Sequence, residues 1–486
     1  MKRVACVCGL LLLASGCAVG PRYERPDVET PQRYRASVDP EAAASFADLP
    51  WWEVFGDPQL QEVVATSLEN NWDLQIAVQR SEQARQQVGA TRSSFFPHLG
   101  YSGKAQRSRY PVNDLFDSPV RFNSFLGVLD VAWEIDLWGR IRRANQAARA
   151  EMLATDANQR GVLLSLVSQV ATLYFQLLEL DAELRIAEEA VQAFETTLEL
   201  FTRRYEAGIA SKLEVSRAAA ALAQVESWIP EISMTSEAVE NQLSVLQGKL
   251  PAPVLRGADL EEQHLPTLAP SLPSQLLERR PDIQQAEQQL VAANAEIGVA
   301  IGNFLPRIGL SAFWGGASRE LSNLTKGSAN IWNLAGEIAG PIFQGGLLYS
   351  QYKAQVAAWE EAKAFYERTA LMAFSEVSDA LTARQYLAEQ SRAQKVRAEQ
   401  LQESVHLSLA RYRQGLASYF EVLEAQQDLF PARLDLAQTR FAELRAVVNL
   451  YRSLGGGWEL GVQWQETEPG TTEGEANTDK EGSVTP

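Results

Sequence analysis

The feature that most constrains this chain is that it reads twice. DLQIAVQRSEQARQQVGATRSSFFP, from Asp73 to Pro97, recurs as DIQQAEQQLVAANAEIGVAIGNFLP from Asp282 to Pro306, 209 positions later. Further on, RYEAGIASKLEV from Arg204 recurs as RYRQGLASYFEV from Arg411, now offset by 207, and Ala147 and Ala150 match Ala354 and Ala357 at that same offset. One half has therefore gained or lost two residues between its proline and its long helix. A solenoid repeats at least three times with a period of about 20 to 50 residues, so a long period seen twice marks a duplicated half-domain.

Each half runs in one order. A helical stretch (Asp57 to Thr91; Pro281 to Ile301) leads to a proline, then to residues that alternate with period two. Leu99, Tyr101, Gly103 and Ala105 alternate with Gly100, Ser102, Lys104 and Gln106; Ile308, Leu310, Ala312 and Trp314 alternate with Gly309, Ser311 and Phe313. Period two is a strand signal. A polar loop then leads to a second candidate strand (Phe125, Leu129, Val131, Trp133; Ile331 to Ile338), so the pattern predicts two β-hairpins.

The helical signal is stronger. Leu163, Val167, Val170, Tyr174, Leu177, Leu184, Ala187, Val191, Phe194, Leu198, Phe201 and Tyr205 step mostly by three and four, a seam that asks for a partner helix at a shallow crossing angle. No proline occurs between Pro119 and Pro230 or between Pro341 and Pro431. A helix from Gly139 to Glu206 could thus run for about 68 residues, roughly 100 Å. Such a rod suits a structure that crosses a wide aqueous space. Its end is punctuated by Gly208, placed for a left-handed C-cap, and by the capping box Ser211-Lys212-Leu213-Glu214. Gly415 and Ser418-Tyr419-Phe420-Glu421 repeat the arrangement, which predicts two similar tips at one pole. Pro230 and Pro431 do not align with each other, and each is expected to bend or break its helix.

The N-terminus is an export signal: Lys2 and Arg3 precede an apolar run ending LLLASGC, too short to span a membrane. Ala14, Ser15 and Gly16 before Cys17 resemble a bacterial lipobox, with Leu13 four residues before the cysteine where the commonest form has it three before. The chain is expected to be lipidated at Cys17, with diacylglycerol and an N-acyl chain, as the first residue of the mature protein. Cys6 and Cys8 leave with the signal, which excludes an intrachain disulfide. A mean hydropathy of −0.19 is that of a water-exposed chain. Gly161 to Leu180 would tempt a hydropathy scan, but Ser165, Ser168, Gln169, Thr172, Gln176 and Glu179 recur through it, so a packed wall helix is expected there. A formal charge of −17 argues against nucleic acid as a partner. The tail from Glu466 is Gly, Thr and acid with the single Lys480, a composition expected to be disordered.

Two hairpins give four strands, too few to close. In a membrane the open edges would leave backbone groups unpaired at several kcal/mol each. Closure must come from other copies, so strands and rods together imply a ring: a shared β-barrel in a membrane, continued by a shared helical barrel in the aqueous compartment.

CAVGPRYERPDVETPQRYR after the lipobox, WWEVFGDPQLQEVVATSLENNWDLQIA from Trp51, WEIDLWGRIR from Trp133, PIFQGG from Pro341 and both RYxxGxAS turns resemble the TolC-type outer-membrane efflux factors. The closer likeness is to the lipoprotein branch (OprM/NodT-like) that works with resistance-nodulation-division pumps, and it covers nearly everything from Cys17 to Trp458. The resemblance implies an α+β membrane protein: a homotrimer with a twelve-stranded outer-membrane barrel, four strands per chain, and a long periplasmic α-barrel. It implies a periplasmic adaptor and an inner-membrane pump as partners, and an equatorial belt formed by the N-terminal segment, the Pro-rich linker from Pro251 to Pro273 and the C-terminal residues. It further suggests that Ala18, not an Asp, lets the lipoprotein proceed to the outer membrane. The expected division is a signal over 1–16, a lipidated segment over 17–56, a first repeat over 57–247, a linker over 248–280, a second repeat over 281–457 and a tail over 458–486.

For sites, the tips Gly208, Ile209, Ala210 and Ser211 and their counterparts Gly415, Leu416, Ala417 and Ser418 are the expected adaptor contacts. They are the features both halves place opposite the barrel. In TolC-type proteins acids at positions matching Glu214, Glu421 and Glu424 line the narrow periplasmic entrance, and Tyr412 matches an aromatic gate position. Ala417 departs from relatives that carry a basic partner there. Glu214 and Glu421 are also the third residues of the capping boxes, a sufficient reason for either, whereas Glu424 has no capping role. The histidines His98, His264 and His406 are scattered, and neither a P-loop nor a nucleophile elbow occurs, so catalysis and cofactors are not expected. An exit duct for one-component secretion and a periplasmic structural lipoprotein or cell-wall enzyme with coiled-coil spacers are the alternative classes.

Overall fold

The computed structural model describes residues 18–31, 54–110, 120–266 and 276–456. The signal, Cys17 and the acidic tail lie outside the described residues. Helix α1 (Pro58–Asn70) starts where Asp57 Oδ1 accepts from the backbone N–H of Gln59 at 2.8 Å and Leu60 at 3.3 Å, with Pro58 in the first turn, where its missing N–H is no loss. Helix α2 (Trp72–Ser93) follows, so the single stretch expected over 57–91 is in fact two helices. Asn71 makes the break. Its backbone is extended, its side chain accepts from Leu74 N–H at 2.9 Å, and its Nδ2 donates to the Leu246 carbonyl at 3.0 Å, ties that a continuous helix would forfeit.

Strands β1 (His98–Tyr110) and β2 (Val120–Ile135) form the first hairpin; after the helices of the first repeat, β3 (Arg307–Ser318) and β4 (Asn330–Ala339) form the second. All four pair antiparallel in the order β1-β2-β3-β4, with β1 and β4 as open edges. Directly paired residues share a face, so the register sorts the sheet into an apolar side and a mixed side, where Phe122, Leu126, Val128, Phe313 and Ile331 stand among the polar residues. Leu99, Tyr101, Leu129, Val131, Trp133, Ile308, Leu310, Trp314, Trp332, Leu334 and Ile338 stand on one side. Tyr101 is 87% exposed and Leu334 76%, a degree of apolar exposure that suits lipid and not water. The other side carries Ser102, Lys104, Gln106, Asp130, Ser124, Ser311, Asn333 and Glu337.

Helix α3 (Arg140–Glu206) is 67 residues long, as the proline-free run predicts. It turns into α4 (Lys212–Glu226) and α5 (Trp228–Leu246). The second repeat adds α6 (Leu276–Arg279), α7 (Pro281–Gly302), the second hairpin, α8 (Leu347–Arg413), also 67 residues, and α9 (Tyr419–Ser453). The two prolines behave differently. The return helix breaks at Ser227, and Pro230 sits in the first turn of α5, where no N–H is needed. At Pro431, where a bend or a break is expected, the helix does not break: α9 runs through it, with Phe430, Ala432 and Leu434 buried and Trp228 packed edge-on to Phe430 at 5.9 Å. Packing on both sides of the proline outweighs the one hydrogen bond it removes.

The two rods are not equivalent. α3 packs against α1, α2, α4, α5, α7 and α9, whereas α8 packs on α7, α9 and, marginally, α6. Burial of α3 between Leu164 and Ala187 is accordingly wider than a heptad seam, including Leu166, Val170, Leu173, Tyr174, Phe175, Leu177 and Leu178. The segment apolar enough to cross a membrane is a core helix wrapped by its own chain. α8 leaves Leu371, Met372, Tyr386, Val396 and Leu407 exposed, each more than half.

One carboxyl is half-buried where α3 meets α9. Burial, aided by Glu183 one turn on and opposed by Arg445, raises the Glu179 carboxyl to about 8. Glu183 is itself held by Gln438 Nε2, which donates to its Oε1 at 2.8 Å. A carboxyl raised above its unfolded value contributes its stability at low pH and loses it as pH rises through the folded value. Thermal stability should therefore fall between about pH 5 and about pH 9. Glu179→Gln should flatten that slope and lift the melting temperature at the alkaline end by about 2 °C or more; equal slopes for variant and parent in a melting series would contradict the assignment.

Candidate functional site

Both tips are built as the sequence punctuates them. At the end of α3, Gly208 takes φ of 75°, its N–H donates to the Tyr205 carbonyl at 2.9 Å, and Ile209 N–H donates to the Arg204 carbonyl at 2.8 Å. Ser211 and Glu214 then form the reciprocal capping box of α4. At the end of α8, Gly415 also takes φ of 75°, Leu416 N–H donates to the Arg411 carbonyl at 2.9 Å, and Ser418 with Glu421 caps α9.

The tips are welded to each other. Phe201, Val215 and Ala218 of the first repeat bury against Tyr412 and Val422 of the second. The Phe201 ring meets Tyr412 edge-on at 5.4 Å and Tyr419 at 6.0 Å, and the Arg204 guanidinium lies 4.7 Å from the Tyr412 ring centre. Tyr412 is 5% exposed. Burial raises its hydroxyl above the ordinary phenol range, with Arg204 opposing and Glu214 adding to the shift. Its ring is thus part of the tip core within one chain. Arg204, which lies over its ring, and Tyr419, which meets Phe201, were not singled out as site residues by the sequence reading; the aromatic spacing of the second turn was the available signal.

The acids separate as the capping argument requires. Glu214 Oε1 accepts from Ser211 N–H at 3.3 Å, and Glu421 Oε1 accepts from Ser418 N–H at 3.0 Å. Glu424 is exposed and makes no hydrogen bond or ion pair among the described residues. Asp428, missed in the sequence reading, is also exposed, one helical turn beyond Glu424, so Glu421, Glu424 and Asp428 form one acidic stripe at i, i+3 and i+7. Outside the stripe the tips present apolar side chains with no cover: Ile209 at 68% and Leu213 at 57% exposure, and at the positions 207 further on, Leu416 at 65% and Phe420 at 50%.

Ala18, the first described residue, lies at the foot of the sheet. Val19 N–H donates to the Trp138 carbonyl at 3.0 Å, and Arg143 Nε donates to the Val19 carbonyl at 3.0 Å. The fit at Gly139 is close enough that an added Cβ would stand 2.6 Å from the Ala18 Cα, and Gly20 and Gly298 meet equally closely. Downstream, Tyr23 OH donates to Glu287 Oε1 at 3.1 Å, and Arg25 Nε donates to the same carboxylate at 2.8 Å. His98 opens β1, and His264 and His406 are exposed and far apart in sequence; among the described residues no group of three or more His, Cys, Asp or Glu is placed to hold a metal ion.

An open four-stranded sheet with an apolar outer face, standing on twin 67-residue rods, is a distinctive architecture, and its family profile matches in two blocks, residues 63–248 and 272–456, described as outer membrane efflux protein. The chain belongs to that family. It is 34% identical over 455 residues to the toluene efflux pump outer membrane protein TtgC of Pseudomonas putida, covering 92% of this chain and 94% of that protein. It is 32% identical over 454 residues to the cation efflux system protein CusC of Escherichia coli, covering 92% and 97%. Among solved structures, the open state of the Neisseria gonorrhoeae MtrE outer membrane channel superposes with a TM-score of 0.83 at 28% identity, covering 91% of this chain and 99% of that one. This outer-membrane efflux protein accordingly places its sheet in the membrane and its rods in the periplasm.

The tip glycines offer a direct test. Nothing lies within 4 Å of a Cβ added at Gly415, so Gly415→Val is opposed chiefly by its left-handed backbone, about 1–2 kcal/mol. Efflux should fall while the amount of assembled protein in the outer membrane stays near normal; collapse of both would make the glycine purely structural.

Proposed function

We propose that three copies close head to tail into one passive duct. It conducts drugs or other small molecules from the periplasm to the exterior, loaded by a periplasmic adaptor and an inner-membrane resistance-nodulation-division pump, and it catalyses no reaction itself. The observation that carries this reading is that the protomer is open on the same two sides at every height. In the sheet the edges are β1 and β4; at the upper rods the contacts run α2–α3–α7–α8; at the lower rods they run α4–α3–α9–α8. One side always belongs to the first repeat and the other to the second, which is the condition for a heterologous interface, the kind from which rings are built. Three copies give twelve strands, wide enough for an aqueous lumen lined by the polar face.

The uncovered Ile209, Leu213, Leu416 and Phe420 supply the adaptor with two like docking points per chain. Relatives named for toluene and for cations share this architecture, which supports assigning cargo selection to the pump. A diacylglycerol and an N-acyl chain on Cys17 fit the seating of Ala18 at the foot of the sheet, where acyl chains would reach the membrane. Palmitate incorporation should vanish in Cys17→Ala while the duct still assembles; labelling that persists would remove the lipid assignment.

The acids at the tips are proposed to ring the periplasmic aperture. Glu214 and Glu421 are explained by their caps, so Glu424 is the informative residue. Glu424→Gln should lower cation selectivity in single-channel recordings from a planar bilayer, with the trimer intact. Unchanged selectivity in the Glu421→Gln, Glu424→Gln double variant would put the ring elsewhere, and no conductance from the parent protein would contradict the duct.

A further inference from the structure

The outer end of the first hairpin carries a feature that conduction does not use. Arg109 pairs directly with Arg121 across β1 and β2, and Arg107, paired with Asn123, stands two residues along on the same face. Paired side chains on one face approach to about 5 Å, and like charges directly opposite are destabilising without a counter-ion. All three arginines are exposed, and none makes an ion pair among the described residues. In a chain of net charge −17, acids are abundant, yet no described one is spent here.

Their face decides what could neutralise them. They continue the stripe of Leu99, Tyr101, Leu129 and Val131, the apolar side of the sheet, while Lys104, Gln106 and Ser108 stand on the polar side. From Leu99 to Arg109 is ten residues, about 33 Å along a strand. At a tilt of about 40° that is about 25 Å along the membrane normal, the height of an outer-membrane apolar band. The guanidiniums therefore sit where hydrocarbon gives way to headgroups in the outer leaflet, an assignment that rests on the barrel reading above.

We propose that Arg107, Arg109 and Arg121 form a binding site for the phosphate groups of an anionic lipid headgroup in the outer leaflet, held on the outside of the duct. Guanidinium forks bind phosphate oxygens in pairs, and a headgroup bearing two phosphates can answer the directly opposed Arg109 and Arg121 together. A free anion would satisfy the charge but would gain nothing from the apolar stripe that leads up to it. The lipid satisfies both, with its phosphates on the arginines and its acyl chains against Ala105 and Phe125, the paired residues of that face in the outer half of the band.

The test is native mass spectrometry of the detergent-extracted protein titrated with bisphosphorylated lipid A. The R107Q/R109Q/R121Q variant should bind it roughly tenfold more weakly. K104Q, on the opposite face, should bind as the parent does, and dephosphorylated lipid A should bind the parent as poorly as lipid A binds the triple variant. Undiminished binding by the triple variant, or equal loss in K104Q, would overturn the site. Full displacement of lipid A by equimolar inorganic phosphate would make it a soluble-anion site and overturn the lipid assignment. Planar-bilayer conductance, run in parallel, separates the two levels: a parent that does not conduct undermines the duct itself, whereas a conducting triple variant with parental lipid binding removes the arginine site alone. Should the triple variant fail to assemble, R121Q carries the test with a loss of about threefold.

Discussion

Everything in this molecule follows from backbone hydrogen bonds that one chain cannot complete. A four-stranded sheet has two free edges, and hydrocarbon offers their N–H and C=O groups no partner, at several kcal/mol each. The apolar face of the sheet commits it to lipid, so the edges must be paired by further copies of the same chain. The rods inherit this geometry: whatever closes the sheet sets the spacing and the rotation with which the helices below must meet.

The duplication supplies the matching halves, and their order along the chain supplies direction. α3 lies in the middle of the protomer and is wrapped by helices of both repeats, while α8, of equal length, keeps a flank open. Even identical halves would leave unlike edges, because the free edges are the first strand of one hairpin and the second strand of the other. Here the first repeat presents β1, α2 and α4 and the second presents β4 and α8, so each interface is between unlike surfaces and each copy orients the next. At the tips the two halves instead converge, through Phe201, Arg204, Tyr412 and Tyr419, so a displacement of one tip is carried to the other.

Much of this was legible in the residues, for identifiable reasons. Period-two alternation placed Leu99 and Tyr101, and Ile308 and Leu310, on one face of a sheet because a strand allows nothing else. Proline-free seams, C-terminal glycines and capping boxes set the first rod and both tips almost to the residue, and bounded the second rod between Pro341 and Gly415. What was missed depended on contacts distant in sequence. Asn71 breaks the first helix because Leu246 is there to accept its amide, and Pro431 leaves α9 continuous because Phe430 and Leu434 are gripped from outside. The burial of Tyr412 required knowing that Phe201 and Arg204 of the other repeat would meet it. Local chemistry wrote the elements, and long-range packing decided their interruptions.

The central claim is that open edges of unlike kind close a ring of fixed size. The native mass of the conducting complex, extracted in mild detergent, tests it most directly. The account predicts three copies of the chain, with monomer inactive because its edges are unpaired. A conducting monomer or dimer would show that four or eight strands line a pore without this closure, and would contradict it.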